Sequence, residues 1–131
     1  MSVAVESSHD VRVERDAPIP TWFKIGGRAE RLARPKSEAE LAQCVRLDPE
    51  LRVLGDGANL LVHDAGVSEL VVVLSEPVWK KIEIDERTGR VVAGAGASLP
   101  RLIKATIDAG LAGIEGLGGI PATAGGAVIM N

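Results

Sequence analysis

With 131 residues, 46% of them hydrophobic, the chain can bury the core of one ordinary domain, or of two small lobes that share one. A net charge of -3 without a clustered basic stripe, together with an aromatic content of 2%, excludes a nucleic-acid surface, which needs positive charge and stacking platforms. Cys44 alone forms no internal disulfide, His9 and His63 are too few and too scattered for a metal site, and every apolar run is broken well short of the roughly 20 residues that cross a bilayer.

The start, Met1-Ser2-Val3-Ala4-Val5-Glu6, lacks a basic segment followed by an apolar one, so no membrane partner is expected and the expected location is cytoplasmic. Residues 1–20 read as a polar arm. The first helix signal is Ser37-Glu38-Ala39-Glu40, a capping box in which the Ser37 hydroxyl accepts from the Glu40 amide and the Glu40 carboxylate reaches back. Leu41, Cys44 and Val45 then recur at helical spacing, so this helix buries one face and Cys44 reads as a small core filler.

Leu51 to Leu54 has the length and residue types of a short buried strand, and Leu60 to Val62 resumes the apolar pattern. Between them lies Gly55-Asp56-Gly57-Ala58-Asn59. Its glycines permit positive φ at a sharp turn, and without Cβ atoms consecutive N–H groups can converge on an anionic oxygen such as that of a diphosphate. Asn59 tolerates left-handed geometry and can brace the loop from within. A lone Gly-x-Gly between strands is more often only a connecting turn, so a second feature is needed.

Leu70 to Leu74 is a β-branched run that fits a strand covered on both sides. A composition shift at Glu76-Pro77 marks a lobe boundary, giving a first lobe over 21–75 and a second over 76–131. Val78 to Ile84 alternates, with Val78, Lys80, Ile82 and Ile84 on one side, and Thr88-Gly89 turns the chain into Arg90 to Ala93 as a hairpin. After Gly94-Ala95-Gly96-Ala97 a helix starts at Ser98, whose hydroxyl can cap it while Pro100 occupies the first turn. Leu99, Leu102, Ile103, Thr106 and Ile107 form its buried stripe, and Gly110 ends it.

The second feature is Gly118-Gly119-Ile120-Pro121-Ala122-Thr123-Ala124-Gly125-Gly126-Ala127, leading into Val128-Ile129-Met130-Asn131. Ten of the 15 glycines fall between Gly89 and Gly126, so backbone there must approach something closely. Two glycine loops in one short chain suggest a large, flat, phosphate-bearing ligand. Taken alone, Gly125-Gly126 equally suits a helix packed against a sheet.

Three motifs taken together resemble the UDP-N-acetylenolpyruvoylglucosamine reductases. They are Thr21-Trp22-Phe23-Lys24-Ile25-Gly26-Gly27, Leu54-Gly55-Asp56-Gly57-Ala58-Asn59-Leu60-Leu61-Val62, and Gly113 through Ala127 with the ending Met130-Asn131. The resemblance covers about residues 21–131 and implies an α+β fold, the FAD-binding domain of the vanillyl-alcohol oxidase and p-cresol methylhydroxylase type, with two α/β lobes of which the second is incomplete. It implies that Gly55, Asp56, Gly57, Ala58, Asn59 and Leu60 take the FAD pyrophosphate, and that Gly119, Ile120, Pro121, Thr123, Gly125 and Gly126 lie along the flavin. The second loop would also open a helix whose positive end suits a phosphate. NADPH is the implied reductant, and hydride addition to the enolpyruvyl double bond of a UDP-sugar the implied reaction.

The pattern departs from the family's at Ala58, where Ser is usual, and at Ala122, where Gly is commoner. No His lies between Gly55 and Leu61, so the flavin attachment is expected to be non-covalent. The family's proton donor and its active-site arginine and glutamate belong to a portion beyond Asn131, so no catalytic residue is assigned and the chain is expected to be an N-terminal fragment. Another FAD oxidoreductase of the same superfamily, or a non-catalytic nucleotide-binding module, stays open as an alternative.

Overall fold

A computed structural model describes residues 10–130 of the chain. The start of the arm with His9, and Asn131, lie outside the described residues. Four strands form one sheet in the order β1-β2-β4-β3, with β1 Val13–Ala17, β2 Ala29–Ala33, β3 Arg52–Leu54 and β4 Val67–Val73. β2, β4 and β3 run parallel, and β1 closes one edge antiparallel to β2 with Val13 opposite Ala33.

β1 corrects the reading of residues 1–20 as a plain arm. Its sequence, Val-Glu-Arg-Asp-Ala, looks polar because an edge strand with one solvated face keeps charge in water, and charged edges discourage pairing with other chains. Arg34 reaches back to Glu14 at 2.5 Å across that edge.

β4 is the spine of the sheet, and Leu70, Val71, Val72 and Val73 are all buried, as a strand covered on both faces requires. Their alternation divides the core. Val71 and Val73 join Ala17, Ala29, Leu32 and Leu54 in one cluster, with Ile19 and Val67 packed against it. Leu70 and Val72 join Ala33 and Cys44 in the other, with Leu41, Leu51 and Leu74 alongside. The second cluster is where helix α1, Glu38–Leu47, lays its inner face.

The α1 cap is half of the expected box: Ser37 Oγ accepts from the Glu40 amide at 3.2 Å, while the Glu40 carboxylate takes the Lys36 amide at 2.7 Å, one residue before the position the box predicts. Burial pushes the Cys44 thiol up, Glu40 adding to it, consistent with a filler. Val45 is exposed, so the buried face is narrower than the apolar pattern suggested. Asp48, just past the helix, accepts from the Leu70 amide at 2.9 Å, from the Glu50 amide at 3.0 Å and from Arg31 at 2.5 Å, tying β2, α1 and β4 together. Those bonds, the Leu70 amide first, hold its carboxyl below the usual range.

Beyond β4 the predicted alternation from Val78 breaks: Pro77–Lys80 is a 3-10 turn, because Pro77 favours a helical start and lacks the N–H a ladder needs. The hairpin follows as expected, β5 Ile82–Asp85 pairing antiparallel with β6 Arg90–Ala93. Asp85 accepts from the Arg87 amide at 3.0 Å inside the turn and is lowered chiefly by the Thr88 hydroxyl.

Helix α2, Leu99–Asp108, buries Leu99, Ile103 and Thr106, but Ile107 is 55% exposed and falls outside the stripe. Ser98 stands at its N-cap without a side-chain hydrogen bond, and the Leu99 amide is taken instead by the carbonyl of Ala122 at 2.9 Å. The helix ends as predicted, at Gly110 with φ +72. Helix α3, Ala124–Met130, closes the described chain. Among the described residues no helix is long and apolar enough to cross a membrane.

Candidate functional site

The first glycine loop follows the carboxyl end of the parallel strand β3 and the second is brought against it at Gly55, the end of an open α/β sheet where ligands bind. Gly55 to Leu60 leaves the end of β3 without entering a further strand, so Leu60 to Val62 is loop and not a resumed strand. Val53, one residue before the loop's base, is 58% exposed, which makes β3 an edge strand buried on one face only.

Gly57 is the fixed point of the first loop. It is buried and has φ +69, and a Cβ there would lie 2.6 Å from the Pro20 carbonyl oxygen and 3.0 Å from Thr21 Cα. A side chain is therefore barred twice, by backbone conformation and by contact. The segment that presses on it is the Thr21–Gly27 motif: the Trp22 amide donates to the Gly57 carbonyl at 3.0 Å, and Thr21 Oγ1, buried, accepts the Lys24 amide at 3.2 Å. The bond that fastens the loop thus uses a carbonyl and none of the loop's N–H groups. Gly55, Asp56, Asn59 and Leu60 are exposed and Ala58 is half-buried. Asn59 makes no hydrogen bond to the described residues, so it does not brace the loop as expected.

The same motif explains a role the sequence left unassigned. Gly26 and Gly27 lie against the backbone of Val62 to Gly66, and the Gly27 amide donates to the His63 carbonyl at 3.0 Å. The signal was present in the paired glycines, but their partner is distant in sequence.

The second loop has an open part and a zipped part. Gly119, Ile120 and Pro121 are exposed, and Gly119 has φ +86 with nothing within 4 Å of its Cβ direction. From Ala122 onward the chain is stitched to the segment before α2: the Ala124 amide donates to Ala97 at 2.8 Å, the Gly125 amide to Ala95 at 2.9 Å, and Ser98 and Thr123 form an antiparallel bridge. The Gly126 amide is taken by Thr123 Oγ1 at 3.1 Å. This corrects one expectation. The first three amides of α3 already have protein partners, so the helix start joins loops together and does not hold out free donors to a phosphate. Glu115, before this loop, accepts the Gly113 amide at 2.5 Å, which keeps its carboxyl below the usual range.

The two loops meet. A Cβ on Gly55 would stand 3.1 Å from Thr123 Oγ1 and 3.8 Å from Gly126 Cα. Of the candidate residues, Gly55, Thr123 and Gly126 are brought together, while Asp56, Asn59, Leu60, Gly119, Ile120 and Pro121 are exposed. Two cavities lie elsewhere: one of about 610 Å³ bordered by Arg15, Arg28 and Asp64, and one of about 370 Å³ between the hairpin and α2 bordered by Val91, Leu102 and Ile114. Neither cavity is lined by a residue of the two glycine loops. Among the described residues no group of acidic, His or Cys side chains could hold a metal ion.

Residues 29–131 match the family model described as FAD binding domain. The chain is 46% identical over 115 residues to UDP-N-acetylenolpyruvoylglucosamine reductase of Moorella thermoacetica, covering 85% of this chain and 37% of that protein. It is 41% identical over 125 residues to the same-named protein of Paramagnetospirillum magneticum, covering 92% of this chain and 40% of that protein. The crystal structure of UDP-N-acetylenolpyruvylglucosamine reductase (MurB) from Thermus caldophilus superposes with a TM-score of 0.72 at 40% identity, covering 90% of this chain and 41% of that one. The chain therefore spans about two fifths of the length of these relatives.

Proposed function

Because the chain belongs to the FAD-binding domain family, we propose that it is the cofactor-holding portion of a UDP-N-acetylenolpyruvoylglucosamine reductase. The observation that carries the reading is the meeting of Gly55 with Thr123 and Gly126 just past the carboxyl end of β3. The first loop is fastened to the Thr21–Gly27 motif through the Gly57 carbonyl, a bond that takes none of the loop's own N–H groups, and glycine-flanked amides of this kind can gather a diphosphate. These are the features FAD needs, and the residues fit it.

In this reading Gly55, Asp56, Gly57, Ala58, Asn59 and Leu60 hold the pyrophosphate, and Gly119, Ile120, Pro121 and Thr123 lie along the ring system. Gly125 and Gly126 fix the distance between the two loops through their backbone contacts. Residues 21–75 and 76–131 are the two lobes, with β1 extending the first back into the arm. FAD, bound non-covalently, would supply the hydride chemistry, with NADPH as reductant and an enolpyruvyl UDP-sugar as substrate, in a cytoplasmic enzyme of peptidoglycan synthesis. The chain's own residues bind and orient; none is assigned a catalytic role.

The test is to purify the polypeptide that carries this chain, identify the flavin it retains, and assay reduction of the enolpyruvyl sugar nucleotide with NADPH. FAD released by mild denaturation, with turnover, is the expected result. Retention of FMN alone, or of no flavin, overturns the reading.

A further inference from the structure

Trp79 touches both sides of the molecule with different atoms. Its indole Nε1 donates to the carbonyl of Pro35 at 2.6 Å, and Pro35 is fully buried just past the end of β2. Its own carbonyl accepts the Gly96 amide at 2.9 Å, and a Cβ on Gly94 would collide with that carbonyl oxygen, while one on Gly96 would collide with the Leu74 carbonyl oxygen and meet Trp79 Cβ at 3.1 Å. The segment Gly94 to Ala97 is in turn what the second glycine loop is stitched to, through the Ala95 and Ala97 carbonyls. A continuous path of short contacts runs from Pro35 through Trp79, Gly96 and Ala95 to Gly125, and from Thr123 and Gly126 to Gly55.

We propose that Trp79 is a positioning residue for the cofactor groove: its indole N–H, anchored on Pro35, sets the distance between the Gly55 loop and the Thr123–Gly126 loop. The proposal rests on the FAD reading above. An ordinary junction tryptophan would contribute by area buried, and its N–H could find any acceptor. Here the N–H reaches the carbonyl of a buried residue just past β2 while the backbone of the same residue holds the Gly94 to Ala97 segment. Removing the N–H alone leaves the Pro35 carbonyl without its partner and lets the Gly94 to Ala97 segment ride away from the sheet.

The experiment uses the polypeptide that carries this chain, with Trp79→Phe, and with site-specific replacement of Trp79 by benzothienylalanine, which exchanges N–H for sulfur at nearly constant shape and keeps the test available should the Phe variant fold poorly. Val72→Ala, in the core of the sheet, is the control for stability lost elsewhere. Amide exchange and FAD affinity of the folded fraction are both measured. Loss of the N–H is expected to speed exchange at Gly96, Ala124 and Gly125 by roughly tenfold without changing Leu70 to Val73. FAD Kd should rise by roughly tenfold, or about 1.4 kcal/mol, with a changed flavin absorption band. Val72→Ala should leave Kd and band unaltered.

Unchanged exchange at those three amides overturns the proposal, as does faster exchange with parental FAD affinity, or an equal loss of affinity in Val72→Ala. A parent polypeptide with no affinity for FAD removes the cofactor reading itself, and the role of Trp79 with it; that result is read before any variant is made.

Discussion

Thr123 stands over Gly55: its hydroxyl oxygen lies 3.1 Å from where a Cβ on Gly55 would project, while accepting the Gly126 amide at the same distance. One oxygen thus caps the start of α3 and limits what the first loop can carry. Alanine at position 55 is conformationally permitted but forces that oxygen to give way. Gly55→Ala is expected to destabilise the chain, and to do so less in a Thr123→Ala background where the oxygen is gone. A double-mutant cycle by urea unfolding should return a coupling on the order of 0.5–3 kcal/mol. Additivity of the two changes would mean the loops do not meet in solution.

Gly57→Val tests the first loop itself. A β-branched residue at φ +69 costs on the order of 1–3 kcal/mol, and its Cβ would meet the Pro20 carbonyl oxygen at 2.6 Å. The loop must then shift away from the Thr21–Gly27 motif. FAD affinity of the folded protein is expected to fall by roughly tenfold or more, about 1.4 kcal/mol per decade. Val71→Ala, a core cavity on β4, should lower stability while leaving the flavin-to-protein ratio of the folded fraction near parental. Retention of FAD at parental affinity by a folded Gly57→Val variant would reduce the loop to a turn.

Asp48 predicts a pH dependence. Its carboxyl is held below the ordinary value, chiefly by the Leu70 amide, so the folded state binds the proton less readily than the unfolded chain. Stability from this group is fully present above the unfolded value of 3.8 and is lost as pH falls through the lower folded value. Asp48→Asn should therefore be less stable than the parent at neutral pH, with the gap narrowing below that value. Denaturant midpoints at pH 7 and at acid pH check it; a gap that widens on acidification contradicts the assignment.

The last helix should be the loosest part. Val128, Ile129 and Met130 are 76%, 82% and 70% exposed, and the loop before them is dense in glycine, which loses the most entropy on ordering. In the 131-residue chain alone, amides from Gly113 to Met130 are expected to exchange quickly while Leu70 to Val73 stay protected. Strong protection across both segments would show that the second loop is already rigid. The chain alone is also expected to give no NADPH-dependent reduction of the enolpyruvyl sugar nucleotide, and measurable turnover would contradict that.

What the sequence made legible was local. The Ser37 cap, the β-branched run at Leu70, the Thr88-Gly89 hairpin and the Gly110 stop all depend on residues within a few positions of each other. Polarity concealed β1, because an edge strand with a solvated face reads like an arm. Alternation at Val78 misled, since Pro77 decides the local geometry before periodicity can. Most of what shapes the groove is long-range: Gly57 against Pro20, Gly125 against Ala95, Trp79 against Pro35. Glycine announced that something would come close, and only the fold could say what.

The strand order has a consequence for the chain as it emerges from a ribosome. β3 precedes β4 in sequence, yet β4 is its sole neighbour in the sheet and separates it from β2. The Gly55 loop therefore hangs from a strand with nothing to pair with until synthesis has passed Val73. Its opposing wall comes later still, since Thr123 and Gly126 follow β4, the hairpin and α2 in the chain. A nascent chain halted before Val67 is expected to be cut readily by protease around Arg52, and one halted well past Val73, with the sheet clear of the exit tunnel, to resist. The groove is a late product of vectorial folding, so whatever binds there meets a sheet that is already built.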